Sequence, residues 1–270
     1  MKKLKNISNL LKKIMIDSIE VTKPDYEYLF ELKKYLKDIY ITMIPGDVDE
    51  MPNYVDLAKR LHLNPIPHIS VRNIEDYDHL NRILGHCDVE DILLIGGDRE
   101  WGIGKLQNVI DVIESNIFDY NANIKRVGIA GFPEPNVFSS EQIMYDKINA
   151  LKDKGIEPYI VTQFCFDHAI ITDWIQKVRS YTDCEIRIGI AGSMNIASLI
   201  NLSIKCGVGN SLRMIYKNGS LLSKAIGSYD PIELINELSP LVRDNIKLHL
   251  FAVGGKKKTI EWLKNNGRQE

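Results

Sequence analysis

Residues 158–168 read Pro158-Tyr159-Ile160-Val161-Thr162-Gln163-Phe164-Cys165-Phe166-Asp167-His168. A short apolar run rich in β-branched and aromatic residues suits a strand covered on both faces, as in a parallel sheet. The run ends in polar side chains, with Gln163 and Asp167 bracketing Phe164 and Phe166 just before a helical pattern that begins at Ile170. An amide and a carboxylate then stand at the C-terminal mouth of a strand, where parallel α/β folds keep their chemistry. A structural reading fits the same residues, with Asp167 as a helix cap and Gln163 as a core amide, and the segment alone leaves both open.

Outward from this stretch, short apolar runs alternate with longer helical patterns. The expected strands are Ile16–Val21, Ile39–Ile44, Pro65–Ser70, Asp91–Gly97, Arg126–Phe132, Pro158–Phe164, Glu185–Ala191 and Lys247–Val253. Between them lie amphipathic stretches such as Ile103, Leu106, Ile110, Ile113 and Ile117, whose spacing makes one apolar face. Strand followed by helix, repeated eight times, predicts a closed (β/α)8 TIM barrel more readily than an open doubly wound sheet. No Pro/Gly/Ser-rich linker breaks the rhythm, so residues 1–270 are read as a single domain. The spacing stretches between the seventh and eighth strands, where residues 196–240 have to hold extra helices and form a candidate lid. Within it, Cys206 to Arg213 reads as a helix-helix turn with Ser211 as a cap, in preference to a ligand loop.

Composition excludes several classes. The 34 basic and 36 acidic residues leave a net charge of -2, no footprint for nucleic acid. Cys87, Cys165, Cys184 and Cys206 are far apart and form no C-x-x-C pair, so neither a disulfide framework nor a zinc site is expected, and the scattered histidines give no metal-ligand spacing. The lysine-rich start, Met1 to Met15, carries Leu4, Ile7, Leu11 and Ile14 at helical spacing. It reads as an amphipathic helix plugging the barrel floor, with a membrane-surface helix as the lesser alternative. No segment reaches the ~20 apolar residues that span a bilayer. The chain is expected to be cytoplasmic, without nucleic-acid or membrane partners and with at most a homo-oligomer as its assembly.

In a barrel, function belongs to the C-terminal strand ends and the loops after them. Those ends supply Glu20, Asp47, His68, Ser70, Gly96, Gly97, Asp98, Phe132, Glu134, Gln163 and Asp167. Glu20 stands out, because a carboxyl flanked by Ile19 and Val21 is costly to bury unless paired or functional. Desolvation is expected to raise its pKa, so that it keeps its proton near neutrality. Gly97 to Lys105 has neither the G-x-G-x-x-G nor the Walker spacing, and no G-x-S-x-G elbow supports a serine nucleophile.

Four stretches, Pro67-His68-Ile69-Ser70, Ile92 to Asp98, Gly128 to Glu134 and Val161 to Asp167, together with Ile19-Glu20-Val21, resemble in the same order the catalytic barrel of methylenetetrahydrofolate reductase. The resemblance covers most of the chain and lacks the regulatory extension of eukaryotic members. It implies an oxidoreductase of one-carbon metabolism and methionine biosynthesis, a flavoprotein reducing 5,10-methylenetetrahydrofolate to 5-methyltetrahydrofolate with FAD and NADH or NADPH. By position, Glu20 matches the family's general acid and Asp98 its carboxylate near flavin and pterin, both catalytic. Gln163 matches the amide that binds folate, and Phe164 or Phe166, with Asp167 beside them, would meet the pterin. His68, Gly96, Gly97, Asp98, Phe132 and Glu134 fall on the cofactor side.

The departures lie mostly on that side. Ile95-Gly96-Gly97-Asp98 stands where the family has Leu-Arg-Gly-Asp, and Phe132-Pro133-Glu134-Pro135-Asn136 where it has Tyr-Pro-Glu-x-His. The family's threonine after the second strand falls at Ile44, and its helix lysine at Leu151 or Lys152. FAD is therefore expected to be held weakly or not at all. The alternative is a flavin-free, folate-dependent methyl or one-carbon transferase on the same barrel.

Overall fold

A computed structural model of the chain describes residues 14–97, 101–136, 139–206, 208, 228–252 and 255–269. Eight parallel strands close into a barrel: β1 (Ser18–Val21), β2 (Asp38–Thr42), β3 (Asn64–Ser70), β4 (Asp91–Ile95), β5 (Arg126–Gly131), β6 (Glu157–Thr162), β7 (Ile186–Ala191) and β8 (Ile246–Phe251). The strands pair in sequence order, and β8 closes the ring on β1 with His249 beside Ser18 and Phe251 beside Glu20. The fold is thus the expected (β/α)8 barrel. Most strands stop earlier than read, β6 at Thr162, which leaves Gln163 just beyond the sheet.

Around the barrel run α1 (Tyr26–Leu32), α2 (Met51–Arg60), α3 (Tyr77–Cys87), α4 (Val109–Glu114), α5 (Ile117–Tyr120), α6 (Glu141–Asp153), α7 (His168–Arg179), α8 (Ile196–Lys205), α9 (Ile232–Leu238) and α10 (Lys256–Asn266). Several start where a short polar side chain takes an amide that the helix leaves without a partner. Asp25 accepts from the Tyr28 N–H, Asp76 from His79, Ser140 from Ile143 and Asn195 from Ser198. Their inward faces are apolar: α6 buries Met144, Ile148 and Leu151 against β5 and β6.

The stretch between β7 and β8 carries α8, α9 and a short ribbon pairing Met194–Asn195 with Ser228–Tyr229. In the expected turn, Gly207, Gly209, Asn210, Ser211, Leu212 and Arg213 lie outside the described residues. So do residues 1–13 of the expected N-terminal helix. Ile14 departs from that helix. Its N–H donates to the Asn266 carbonyl and its own carbonyl accepts from Arg268, both at 2.9 Å, so backbone pairing with the C-terminal segment holds it extended. Among the described residues no helix is long and apolar enough to cross a membrane.

Alternate residues of each strand fill the barrel, and their chemistry changes with height. At the floor Arg187, 1% exposed, donates from Nε to Glu185 and from a terminal nitrogen to Asp38, each at 2.7 Å. Its guanidinium lies over the rings of Tyr40 and Tyr159 at 5.4 and 5.6 Å. Lys247 reaches Glu185 at 2.6 Å, and Arg126 reaches Asp91 at 3.1 Å, so the buried charges are compensated. Above them Tyr40, Ile66, Leu93, Tyr159 and Val161 form an apolar layer. Gly128 makes room for it: a Cβ there would fall 2.6 Å from the Tyr159 ring. With the floor sealed by charge and the middle filled, open chemistry is left to the C-terminal mouth.

Candidate acid-base site at the barrel mouth

Glu20 ends the inward row of β1, and the strands β2, β3 and β8 aim polar side chains at it. Thr42 at the end of β2 donates its hydroxyl to Glu20 Oε1 at 2.9 Å. His68, high on β3, places Nδ1 3.1 Å from Oε2, and His249 on β8 places Nε2 3.7 Å from the same oxygen. The 3.1 Å approach is an ion-pair distance that lies off the direction of a hydrogen bond. Glu20 Oε2, both His68 ring nitrogens, His249 Nε2 and the Ser70 hydroxyl are therefore buried without a hydrogen-bond partner among the described residues. Orphaned buried polar atoms cost about 1–3 kcal/mol each, and their concentration at one mouth marks a place built for a ligand.

The electrostatics correct the expectation of a proton-retaining Glu20. Burial does push its carboxyl up, but the facing imidazoles of His68 and His249 outweigh it and hold the group well below the usual carboxylate range. Burial also acts on His249, pushing its imidazole below the ordinary value against the pull of Glu20, with Arg187 and His68 adding to the depression. The resting cluster is a carboxylate facing two imidazoles.

Beside it, the ends of β3 and β4 meet at Ser70 and Gly97. Gly97 has φ +96°, and a Cβ there would fall 2.0 Å from the Ser70 hydroxyl oxygen, so glycine is required on both counts. The Arg72 guanidinium lies 3.7 Å from where a Gly96 Cβ would stand, fixed by its Nε donating to the Gln107 carbonyl at 3.0 Å. An arginine from the β3 loop thus occupies the surroundings of the position where the resemblance finds one missing. Burial and the nearby charge of Arg72 push the Lys147 ammonium of α6 below the usual lysine range. The expected helix lysine is not at the mouth: Leu151 is in the core and Lys152 lines a cavity near Glu157 and Asp183, at the opposite end. At the end of β2 it is Thr42 that reaches Glu20. Asp98 lies outside the described residues.

Phe132 and Glu134 sit apart from Glu20. With Tyr145 of α6 and Trp174 of α7 they line a cavity of about 530 Å³ beside the β5 loop. Glu134 is buried there, as is the Trp174 indole N–H, which has no hydrogen-bond partner among the described residues.

The four residues expected to hold substrate do not act together. Gln163 is half-buried at the mouth; its Oε1 accepts from the Phe164 N–H at 3.1 Å, which turns its NH₂ group away from the backbone. Phe164 and Phe166, 1% and 7% exposed, are covered by Ala191, Met194, Leu199 and Tyr229 beneath the insertion, so neither offers a ring face to a planar ligand. Asp167 caps α7, accepting from Ala169 and Ile170, which is the structural reading of that residue. The aromatic at the mouth is instead Phe251, half-buried, edge-on to both Phe164 and His249.

Thr42, His249, Ser18, Phe251, Arg72 and Lys147 were not picked out by sequence reasoning. Lys247-Leu248-His249-Leu250-Phe251 carried a usable signal, since period-two alternation puts residues 247, 249 and 251 on one face.

No family model matches the chain. Among solved structures it is similar to orotidine 5'-monophosphate decarboxylase from Methanocaldococcus jannaschii, with 9% identity over 95% of this chain and 99% of that one, TM-score 0.49. A family 18 chitinase from Crocus vernus matches at 11% identity over 92% and 98% of the two chains, TM-score 0.47. The carboxyl transferase domain of Rhizobium etli pyruvate carboxylase matches at 11% over 77% and 42%, TM-score 0.43. These likenesses say nothing of the site, and the barrel rests on the strand order above.

Proposed function

We propose that the chain is a barrel enzyme that reduces 5,10-methylenetetrahydrofolate to 5-methyltetrahydrofolate, with NADH or NADPH as the electron source. The observation that carries this reading is the Glu20 cluster, a carboxylate and two imidazoles with unpartnered atoms at the mouth of a barrel whose motifs resemble that family. Opening the methylene bridge makes a ring nitrogen a leaving group, which needs a proton from a positioned acid. Glu20 and His68, 3.1 Å apart, share and deliver that proton. Thr42 fixes the other carboxylate oxygen, so that Oε2 is the one turned to the reaction. Gln163 presents its NH₂ to the acceptor edge of the pterin, and Phe251 supplies an aromatic edge beside it.

FAD, when bound, supplies the hydride relay between nicotinamide and folate. The residues present fit such a group. The cavity beside Phe132 and Glu134, with its unpartnered indole N–H, suits an aromatic nucleotide half, and Arg72 beside Gly96 supplies positive charge for phosphates, with the charge of Lys147 felt by Arg72. One observation favours the second reading, a flavin-free one-carbon transferase: His68, expected on the cofactor side, is held against Glu20.

The deciding experiment incubates purified protein with excess FAD, dialyses it, records the flavin spectrum, and follows anaerobic reduction by NADH and reoxidation by methylenetetrahydrofolate. Retained flavin that is reoxidised by the folate supports the first reading. Folate turnover without flavin supports the second. Failure to bind either compound refutes both.

A further inference from the structure

His249 is wholly buried, yet it is not an apolar filler. Its ring is clamped edge-on between Tyr40, at 4.6 Å and 76°, and Phe251, at 5.0 Å and 89°, so it cannot tumble. Its two nitrogens face different partners. The Ser18 hydroxyl, also wholly buried, lies 2.9 Å from Nδ1, while Nε2 faces Glu20 Oε2 at 3.7 Å and has no other partner among the described residues.

We propose that Ser18 and His249 are positioning residues for Glu20: the Ser18 hydroxyl donates to Nδ1, the ring proton is thereby kept on Nε2, and that N–H, turned toward Oε2 at 3.7 Å, favours the carboxylate that takes part in proton transfer at the mouth. This rests on the reading of Glu20 as part of the proton-delivering pair and extends it inward from the mouth.

A neutral imidazole has one donor and one acceptor nitrogen, and the partner of one decides the role of the other. The groups facing the pair are Glu20 on β1, Tyr40 on β2, His68 on β3, Arg187 on β7 and Phe251 on β8 itself. Arg187 and His68 disfavour a positive charge on His249, so it serves as a neutral donor. Without Ser18 the ring is free to take the other tautomer, which would turn a lone pair toward the carboxylate. Burial, which acts to raise the Glu20 pKa, then meets less opposition.

Two measurements test this without substrate. Nitrogen NMR of the wild-type protein, with the His249 signals assigned by their loss in His249→Gln, is expected to show Nε2 protonated and Nδ1 bare near neutral pH. A protonated Nδ1 overturns the proposal whether or not Ser18→Ala folds. Difference infrared spectra against Glu20→Gln report the Glu20 carboxyl; in Ser18→Ala its protonation is expected to move upward by about a unit or more, as burial meets less opposition. An unshifted carboxyl band in folded Ser18→Ala also overturns it. Where folate turnover is present, Ser18→Ala should lower kcat about 10-fold with an altered pH profile and little change in KM. If the spectra behave as expected but no folate is turned over, the positioning inference stands and the folate reading falls.

Discussion

Replacing Glu20 by glutamine separates charge from shape. The two side chains have nearly the same volume, so no cavity forms, and the amide oxygen can still accept from Thr42 in place of Oε1. What disappears is the negative charge facing His68 at 3.1 Å and His249 at 3.7 Å, and with it the group proposed to share the proton. Losing a positioned acid-base group costs ~10²–10⁴ in rate, or about 2.7–5.5 kcal/mol at about 1.36 kcal/mol per tenfold. Glu20→Gln should therefore bind folate near normally and lose turnover by that factor, while any reduction of flavin by NADH survives, because that step does not open the folate ring. Stopped-flow measurement of the two half-reactions separates them. The stability of the variant supplies an independent check. The Glu20 pKa is lowered in the folded state, so its ionised form stabilises the fold above the unfolded value of about 4.5, and that contribution is lost as pH falls through the folded value. Urea denaturation should show Glu20→Gln less stable than wild type near pH 7, with the gap closing in acid. Wild-type folate turnover in this variant would refute the assignment, and a stability gap independent of pH would refute the electrostatic account of the cluster.

Arg187→Met removes a buried guanidinium bonded to Asp38 and Glu185. Breaking such a pair costs about 3–5 kcal/mol, and the lower end is expected because Glu185 keeps Lys247 and Asp38 keeps Asn64; a loss under about 1 kcal/mol by urea denaturation would contradict the account of the floor. Burial raises the Asp91 carboxyl to about 7 in spite of Tyr159 and Arg126. The folded state then holds a proton that the unfolded chain releases near 3.8, so wild-type stability gains a component that falls as pH rises from about 4 to 7. Asp91→Asn should remove that component, as comparison of urea midpoints across the range would reveal. Gln163→Ala deletes one neutral donor at the mouth and should weaken folate binding by ~2- to 10-fold in calorimetry, with an unchanged Kd reducing Gln163 to a backbone-capping amide.

The barrel was legible because its signal is repeated. Eight apolar runs at regular intervals survive boundary errors such as Phe164, read as strand but lying beyond Thr162. The N-terminal reading had no such redundancy. Helical spacing at Ile14 lost to backbone pairing with Asn266 and Arg268, a contact between chain ends that no local pattern reveals. Asp167 illustrates a third case, where both readings were physically sound and the proximity of the Ala169 and Ile170 amides decided for the cap.

At the mouth, strand-end reasoning located Glu20 and His68 but misjudged the protonation of Glu20. A carboxyl between Ile19 and Val21 reads as desolvated, and desolvation does raise it. The opposing charges come from residues 48 and 229 positions away in the chain, brought beside it by the pairing of β2 with β3 and the closure of β8 onto β1. Barrel closure therefore contributes to the chemistry as well as to the fold. It brings His249 and Ser18 into register, sets two imidazoles against one carboxylate oxygen, and turns a residue that sequence marks as a neutral acid into the anionic centre of the cluster.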